Sequence, residues 1–192
     1  MAADALSSAS ITALDAVGTS GPITANTSPN GAQYENKIIS DYVTPTAVGI
    51  ATIGSVYKMV RVATNIYLKS VRLTADAALD SNVSPTLSVD VGVYYSDSTV
   101  DGTPVAKQGT AVSDNCIADT LLFGSATTLD VRADRGTTAG KWTAALAQEP
   151  LWQAAGLSSD PGGQFDLVVT TEAGAATGVS KAFQLQADIG KP

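Results

Sequence analysis

Histidine is absent from this 192-residue chain, and cysteine occurs once, at Cys116. Ser-His-Asp and Cys-His catalysis are thereby excluded, as are metal sites built on imidazole. A lone Cys116 forms no internal disulfide and requires no oxidising compartment; it reads as a small buried hydrophobe. No glycine-rich phosphate loop is present, because Gly54, Gly92 and Gly162–Gly163 fall at turns or inside strand-like stretches. Acids are the chemistry that remains. Fifteen Asp and three Glu offer many carboxylate pairs of the kind that hydrolyse glycosides, but here the aspartates gather in loops rather than around a cleft. Asp76, Asp80 and Asn82 lie near one loop, and Asp97 and Asp101 in another, where oxygen ligands could hold calcium. Their spacing matches no EF-hand, and Asp and Asn are ordinary turn residues. The expectation is a chain with no catalytic, cofactor-binding or metal-ligating residues, and so not an enzyme.

Two tryptophans and two sequons complete the inventory. Trp152 is expected to plug one end of the domain. Trp142, after a glycine-rich loop, suits either the core or a subunit contact. Asn26-Thr27-Ser28 and Asn82-Val83-Ser84 fit the glycosylation sequon, but the N-terminus has neither a basic region nor a compact apolar region, so no secretory signal accompanies them. No 18-residue apolar run suggests a membrane-spanning helix. Use in the cytoplasm, or exit by a route other than secretion, is the expectation.

The net charge of −7 disfavours non-specific binding to nucleic acid. Its distribution is uneven. Residues 36–75 carry Lys37, Lys58, Arg61, Lys69 and Arg72 against Asp41 alone, whereas residues 76–134 carry nine Asp against Lys107 and Arg132. Either these charges are scattered over solvated faces, or they form a two-signed surface that docks in one orientation.

The elements that would position these residues read as strands. "TLSVDVGVYY" (86–95) alternates Leu87, Val89, Val91, Val93 and Tyr95 with Ser88, Asp90, Gly92 and Tyr94, which predicts one buried face and one face left for solvent or a neighbour. "NKIISDYV" and "SVYKMVRVA" precede it. "NIYLKSVRLTA" changes phase near Lys69–Ser70, as a bulge would. Further strands are expected over 106–112, 116–123, 127–133, 164–172 and 178–189. Pro150 and Gly156 bracket a short helix over Leu151–Ala155. Strands recurring at turn-to-turn spacings near ten residues indicate a β-sandwich over residues 36–192. Residues 1–35, rich in Ala, Ser, Thr and Gly, bury too little apolar surface to fold alone and read as an extended N-terminal arm held by a neighbouring chain.

Three segments carry a resemblance: "VYKMVRVATNIYLKSVRLTADAALDSNVSPTLSVDVGVY" (56–94), "EPLWQAAGLSSDPGGQFDLVVTTEAGAATG" (149–178) and the closing alternating strand. Together they resemble tailed-bacteriophage capsid decoration (cement) proteins and other minor head structural proteins. The resemblance implies an all-β fold with a jelly-roll-like β-sandwich body, one short helix and an extended arm. It implies a non-enzymatic virion protein on the capsid exterior, assembled in the host cytoplasm. Its partners would be the phage major capsid protein and further copies of itself, in a homotrimer. The long arm and the Tyr94–Tyr95 pair depart from the family pattern. A tail, collar or fibre-base protein is the alternative within virions, and a carbohydrate-binding module is the alternative outside them.

Overall fold

A computed structural model describes residues 5–7, 37–98, 101–125, 128–131, 143 and 145–190. Among these residues, nine strands form two sheets: β1 (Ala5–Ser7), β2 (Lys37–Val43), β3 (Val56–Ala63), β4 (Tyr67–Ala75), β5 (Ser88–Tyr95), β6 (Ala111–Leu122), β7 (Thr128–Asp130), β8 (Gln164–Ala173) and β9 (Phe183–Gly190). The sheet orders are β1-β3-β8-β5-β6 and β2-β9-β4-β7. Leaving β1 aside, consecutive strands alternate between the sheets until β5 and β6 pair as a hairpin. The eight strands β2–β9 thus have the double Greek-key order of a jelly roll. The expected β-sandwich is present.

Its core follows from the alternation in the sequence. Leu87, just before β5, and Val89, Val91 and Val93 of β5 are buried, as are Phe165, Leu167 and Val169 of β8 and Phe183, Leu185 and Ala187 of β9. Phe183 receives Tyr57 and Phe123 edge-on, at centroid distances of 5.4 and 5.7 Å. Edge-to-face contacts of this kind set negative ring faces against positive edges. The β4–β9 register shifts between Leu68 and Ser70, where the phase change in the sequence placed a bulge.

Four readings need correction. Residues 105–107 form a 3-10 turn, and β6 begins only at Ala111; Pro104 precedes the turn and Gly109, at φ +68°, follows it, so no strand runs through. A second short helix accompanies α2 (Leu151–Ala154). This is α1 (Ala47–Ile50), capped by Thr46, whose Oγ1 accepts the Gly49 N–H at 2.8 Å. Part of the arm is tied to its own domain, since β1 runs parallel to β3 with Ala5 opposite Val56 and Ser7 opposite Lys58. The rest of the arm, Trp142 and the first sequon lie outside the described residues.

The fourth correction concerns the polar face of β5. Asp90 is only 5% exposed, and Ser88 and Gly92 are also buried. Strand β6 causes this. Between Val91 and Val93 of β5, the paired residue on β6 moves from Ala118 to Ser113, so the extra residues leave the ladder. They pass so close over Gly92 that a Cβ there would lie 2.2 Å from the Ser113 carbonyl oxygen. The opposite sheet differs: Ile38 and Tyr42 of β2, Arg72 of β4 and Gln184 of β9 are all exposed.

Candidate functional site

Strand direction divides the loops between the two ends of the sandwich. Among the described residues, one end, here the α1 end, gathers 44–55, 76–87, 123–125 and 174–182. The other, the α2 end, gathers 64–66, 96–98, 101–110, 131, 143 and 145–163.

Asp80 organises the α1 end. Its Oδ1 accepts N–H bonds from Asn82 (3.1 Å) and Thr177 (2.9 Å); its Oδ2 accepts those of Thr86 (2.8 Å) and Ala176 (2.9 Å). Burial alone would raise its pKa, but the four backbone donors favour the carboxylate and hold it at about 2. The same loops are joined by main-chain bonds. Leu79 and Asp80 both donate to the Gly124 carbonyl, and Ala175 donates to Ile50. Gly174 and Gly178 allow still closer packing: a Cβ at either would lie 2.2 Å from the carbonyl oxygen of Ala51 or Ala47. Four loops are therefore locked into one surface.

The remaining sequence candidates are dispersed. Asp97 pairs with Lys58, and Asp101 accepts the Thr103 N–H at 2.9 Å. Asp76 is exposed, while the Asn82 side chain accepts the Ser84 N–H at 2.9 Å. Of the aspartates weighed as calcium ligands, Asp80 and Asp101 serve as loop acceptors and Asp97 as an ion-pair partner, and among the described residues no group of three or more acids is arranged to hold a metal ion. Cys116 is buried. Trp152 is half-buried and packs against the core at the α2 end, where its backbone N–H donates to the Thr64 carbonyl at 3.0 Å.

The charge blocks partly cancel within the chain. Lys58 meets Asp97, and Arg72 stands opposite Asp130 in the β4–β7 register. Arg61 is buried in a two-bond pair with Asp166, at 2.6 Å from Nε and 2.9 Å from Nη2.

Asp90 is shifted in the opposite direction to Asp80. Burial, reinforced by Glu172, Asp119 and Asp114, raises its pKa to about 6, against one opposing N–H bond from Thr120 at 2.8 Å. Thr120 has φ 56°, a left-handed conformation at a non-glycine residue. The Asp90 carboxylate anchors this irregular part of β6 from beneath. Sequence reasoning missed that role because a polar residue alternating along a strand normally marks a solvated face.

No family model matches the chain, and no curated protein matches it. Solved structures do. A chain from the capsid of Ralstonia phage GP4 is similar at a TM-score of 0.55 and 16% identity, with 86% of this chain and 89% of that chain covered. Chains from the cyanophage Pam1 capsid asymmetric unit (TM-score 0.38, 16% identity, 91% and 99% covered) and the acid-stable capsid of Helicobacter pylori bacteriophage KHP30 (0.36, 13%, 83% and 90%) also align. At 16% identity, the likeness to the Ralstonia phage chain shows a shared fold.

Proposed function

We propose that this chain is a non-enzymatic structural protein of a bacteriophage virion, and within the virion a decoration (cement) protein on the capsid exterior. The observation that carries this reading is the jelly roll shared with a chain of the Ralstonia phage capsid over 86% of the present chain. The site chemistry agrees with it. Each acid singled out by the sequence is taken up by loop closure, by an ion pair or by the anchoring of β6, apart from Asp76, which stands exposed on a loop. A carbohydrate-binding module would present a row of exposed aromatics, whereas Tyr42 is the sole aromatic among the exposed large apolar residues described. The partners are the phage major capsid protein and further copies of the chain in a homotrimer.

The test is particle stability. Virions lacking this chain should release DNA at lower temperature than complete virions, and added purified protein should restore the difference. Equal release temperatures, with the protein absent from purified complete virions, would remove the proposal.

A further inference from the structure

The edge of a β-sheet exposes a row of backbone donors and acceptors that a further strand can take up, and natural sheets blunt it. Among the described residues the two sheets end on β1 and β6 in one and on β2 and β7 in the other. Strands β1 and β7 have three residues each. Strand β6 is long, but its register against β5 shifts repeatedly, and it carries Asp114 and Asp119. Strand β2 has none of these devices. Its seven residues pair with β9 without a register shift and include no proline. The Tyr42 N–H donates to the Asp41 Oδ1 at 2.8 Å, so it is not directed at β9. Backbone groups of alternate residues point to opposite sides of a strand, which leaves Ile38, Ser40 and Tyr42 with theirs directed to the open edge. The Ile38 and Tyr42 side chains stand on the outer sheet face, 63% and 59% exposed.

We infer that β2 pairs antiparallel with β2 of a second copy of this chain, about a twofold axis at Ile39, joining two four-stranded sheets into one. Charge selects this partner and this register. Lys37 and Asp41 lie two residues to either side of Ile39 and leave the same face of the strand. On that axis Lys37 of each copy stands opposite Asp41 of the other, and Ile39 meets Ile39 between the two pairs. Ile38 stands opposite Ser40, both with backbone groups at the open edge, so they exchange N–H···O bonds in both directions. Tyr42 reaches diagonally to Ile38 of the second copy, which covers the two exposed apolar side chains. Moving the axis to Ser40 would set Lys37 opposite Val43 and Asp41 opposite Ile39, and both charge pairs would be lost. A strand that carries its own complement favours a second copy over an unrelated strand, because a twofold contact uses each complementary group twice. The inference does not rest on the virion reading. In a homotrimer, this contact joins one trimer to the next.

One strand pair buries less than the about 1,200–2,000 Å² of a stable interface, so the contact is weak in dilute solution and is best trapped. Full-length Ile39→Cys and Ser40→Cys are oxidised at about 100 μM, and linked dimers are measured on non-reducing gels, with peptide mapping of the bond. The parent, whose Cys116 is buried, is the blank. Residues opposed at a non-hydrogen-bonded position have Cα atoms about 4.5 Å apart, within the span of a disulfide, so Ile39→Cys should link to itself. Two Ser40 positions lie on a diagonal of about 7–8 Å and should not link. In the Ile39→Cys background, Lys37→Asp or Asp41→Lys should each lower the dimer yield about fivefold or more. The two reversals together should restore it to within about twofold. Ser40→Pro should abolish the link with melting preserved, because the Ser40 N–H is directed away from β9.

A link at position 39 that follows the charge reversals and their rescue supports the inference. Absence of that link in a folded protein overturns it, whether the edge is covered by residues 8–36 of the same chain or by nothing. A link at position 40 in place of 39 overturns the register and the charge argument with it. A link at 39 that ignores the charge reversals marks random collision and overturns the inference as well. None of these outcomes bears on attachment to shells, so the virion reading stands or falls separately.

Discussion

Among the described residues, 44–55, 76–87, 123–125 and 174–182 contribute three charged side chains to the α1 end, whereas 64–66, 96–98, 101–110 and 145–163 contribute five to the α2 end. The contrast extends to how the loops are held. Asp80 closes the α1 end with four backbone N–H bonds in a buried setting. At the α2 end the corresponding turn acid is Asp160, which is exposed and accepts one N–H bond from Gly162 at 2.9 Å and one hydroxyl bond from Thr64 at 2.6 Å. A buried carboxylate with many donors fixes a shape; an exposed one with two donors closes a single turn.

The largest expected effect breaks that contrast at its centre. Asp80→Ala leaves several backbone N–H groups without their acceptor and should destabilise the fold by about 3–5 kcal/mol, whereas Asp160→Ala should cost about 1 kcal/mol. Urea unfolding of both variants measures the difference, and equal costs would show that the α1 end has no special anchor. Lowering the pH attacks the same anchor. Asp80 contributes stability that is present above its ordinary value of 3.8 and is lost as pH falls through about 2.

Asp90 should show the opposite sign, because its folded-state pKa is raised. The folded state holds this proton more tightly, so the contribution is fully present below 3.8 and is lost as pH rises through about 6, with a span of up to about 3 kcal/mol. In Asp90→Asn the slope of unfolding free energy against pH across that window should flatten. An unchanged slope would mean that the carboxyl is better hydrated than its burial indicates.

Gly174→Ala sharpens the packing side of the comparison. The added methyl would meet the Ala51 carbonyl oxygen, so the loops must separate, at a cost of about 2 kcal/mol. Thermal melting measures it, and a neutral result would show that the loops yield more readily than their contacts imply. The smallest effect is expected from deleting residues 2–35. This removes the three paired residues of β1 and should leave circular dichroism and melting nearly unchanged, while occupancy on shells falls. Undiminished occupancy would make the arm dispensable for attachment.

Much of the fold was legible because two-residue alternation is a local signal. It marked β5, β8 and β9 and placed the bulge near Lys69. Helix α1 was not legible, since four residues are too few for a helical period to emerge, although its Thr46 cap is visible in hindsight. The strand expected over 106–112 failed because the apolar Val105 and Ala106 could not reveal that Gly109 turns the chain. For the candidate site, Asp80 was singled out correctly as a loop acid, yet two of its donors, Ala176 and Thr177, lie 96 and 97 residues away. Asp90 was misread for the same reason. What covers it is a bulge on β6, and no local pattern around Asp90 announces it.

The most direct measurement is a difference map from electron cryo-microscopy of particles assembled with and without this chain. The account expects added density on the outer surface that fits the two-sheet jelly roll. Identical maps, or added density confined to the tail, would contradict it.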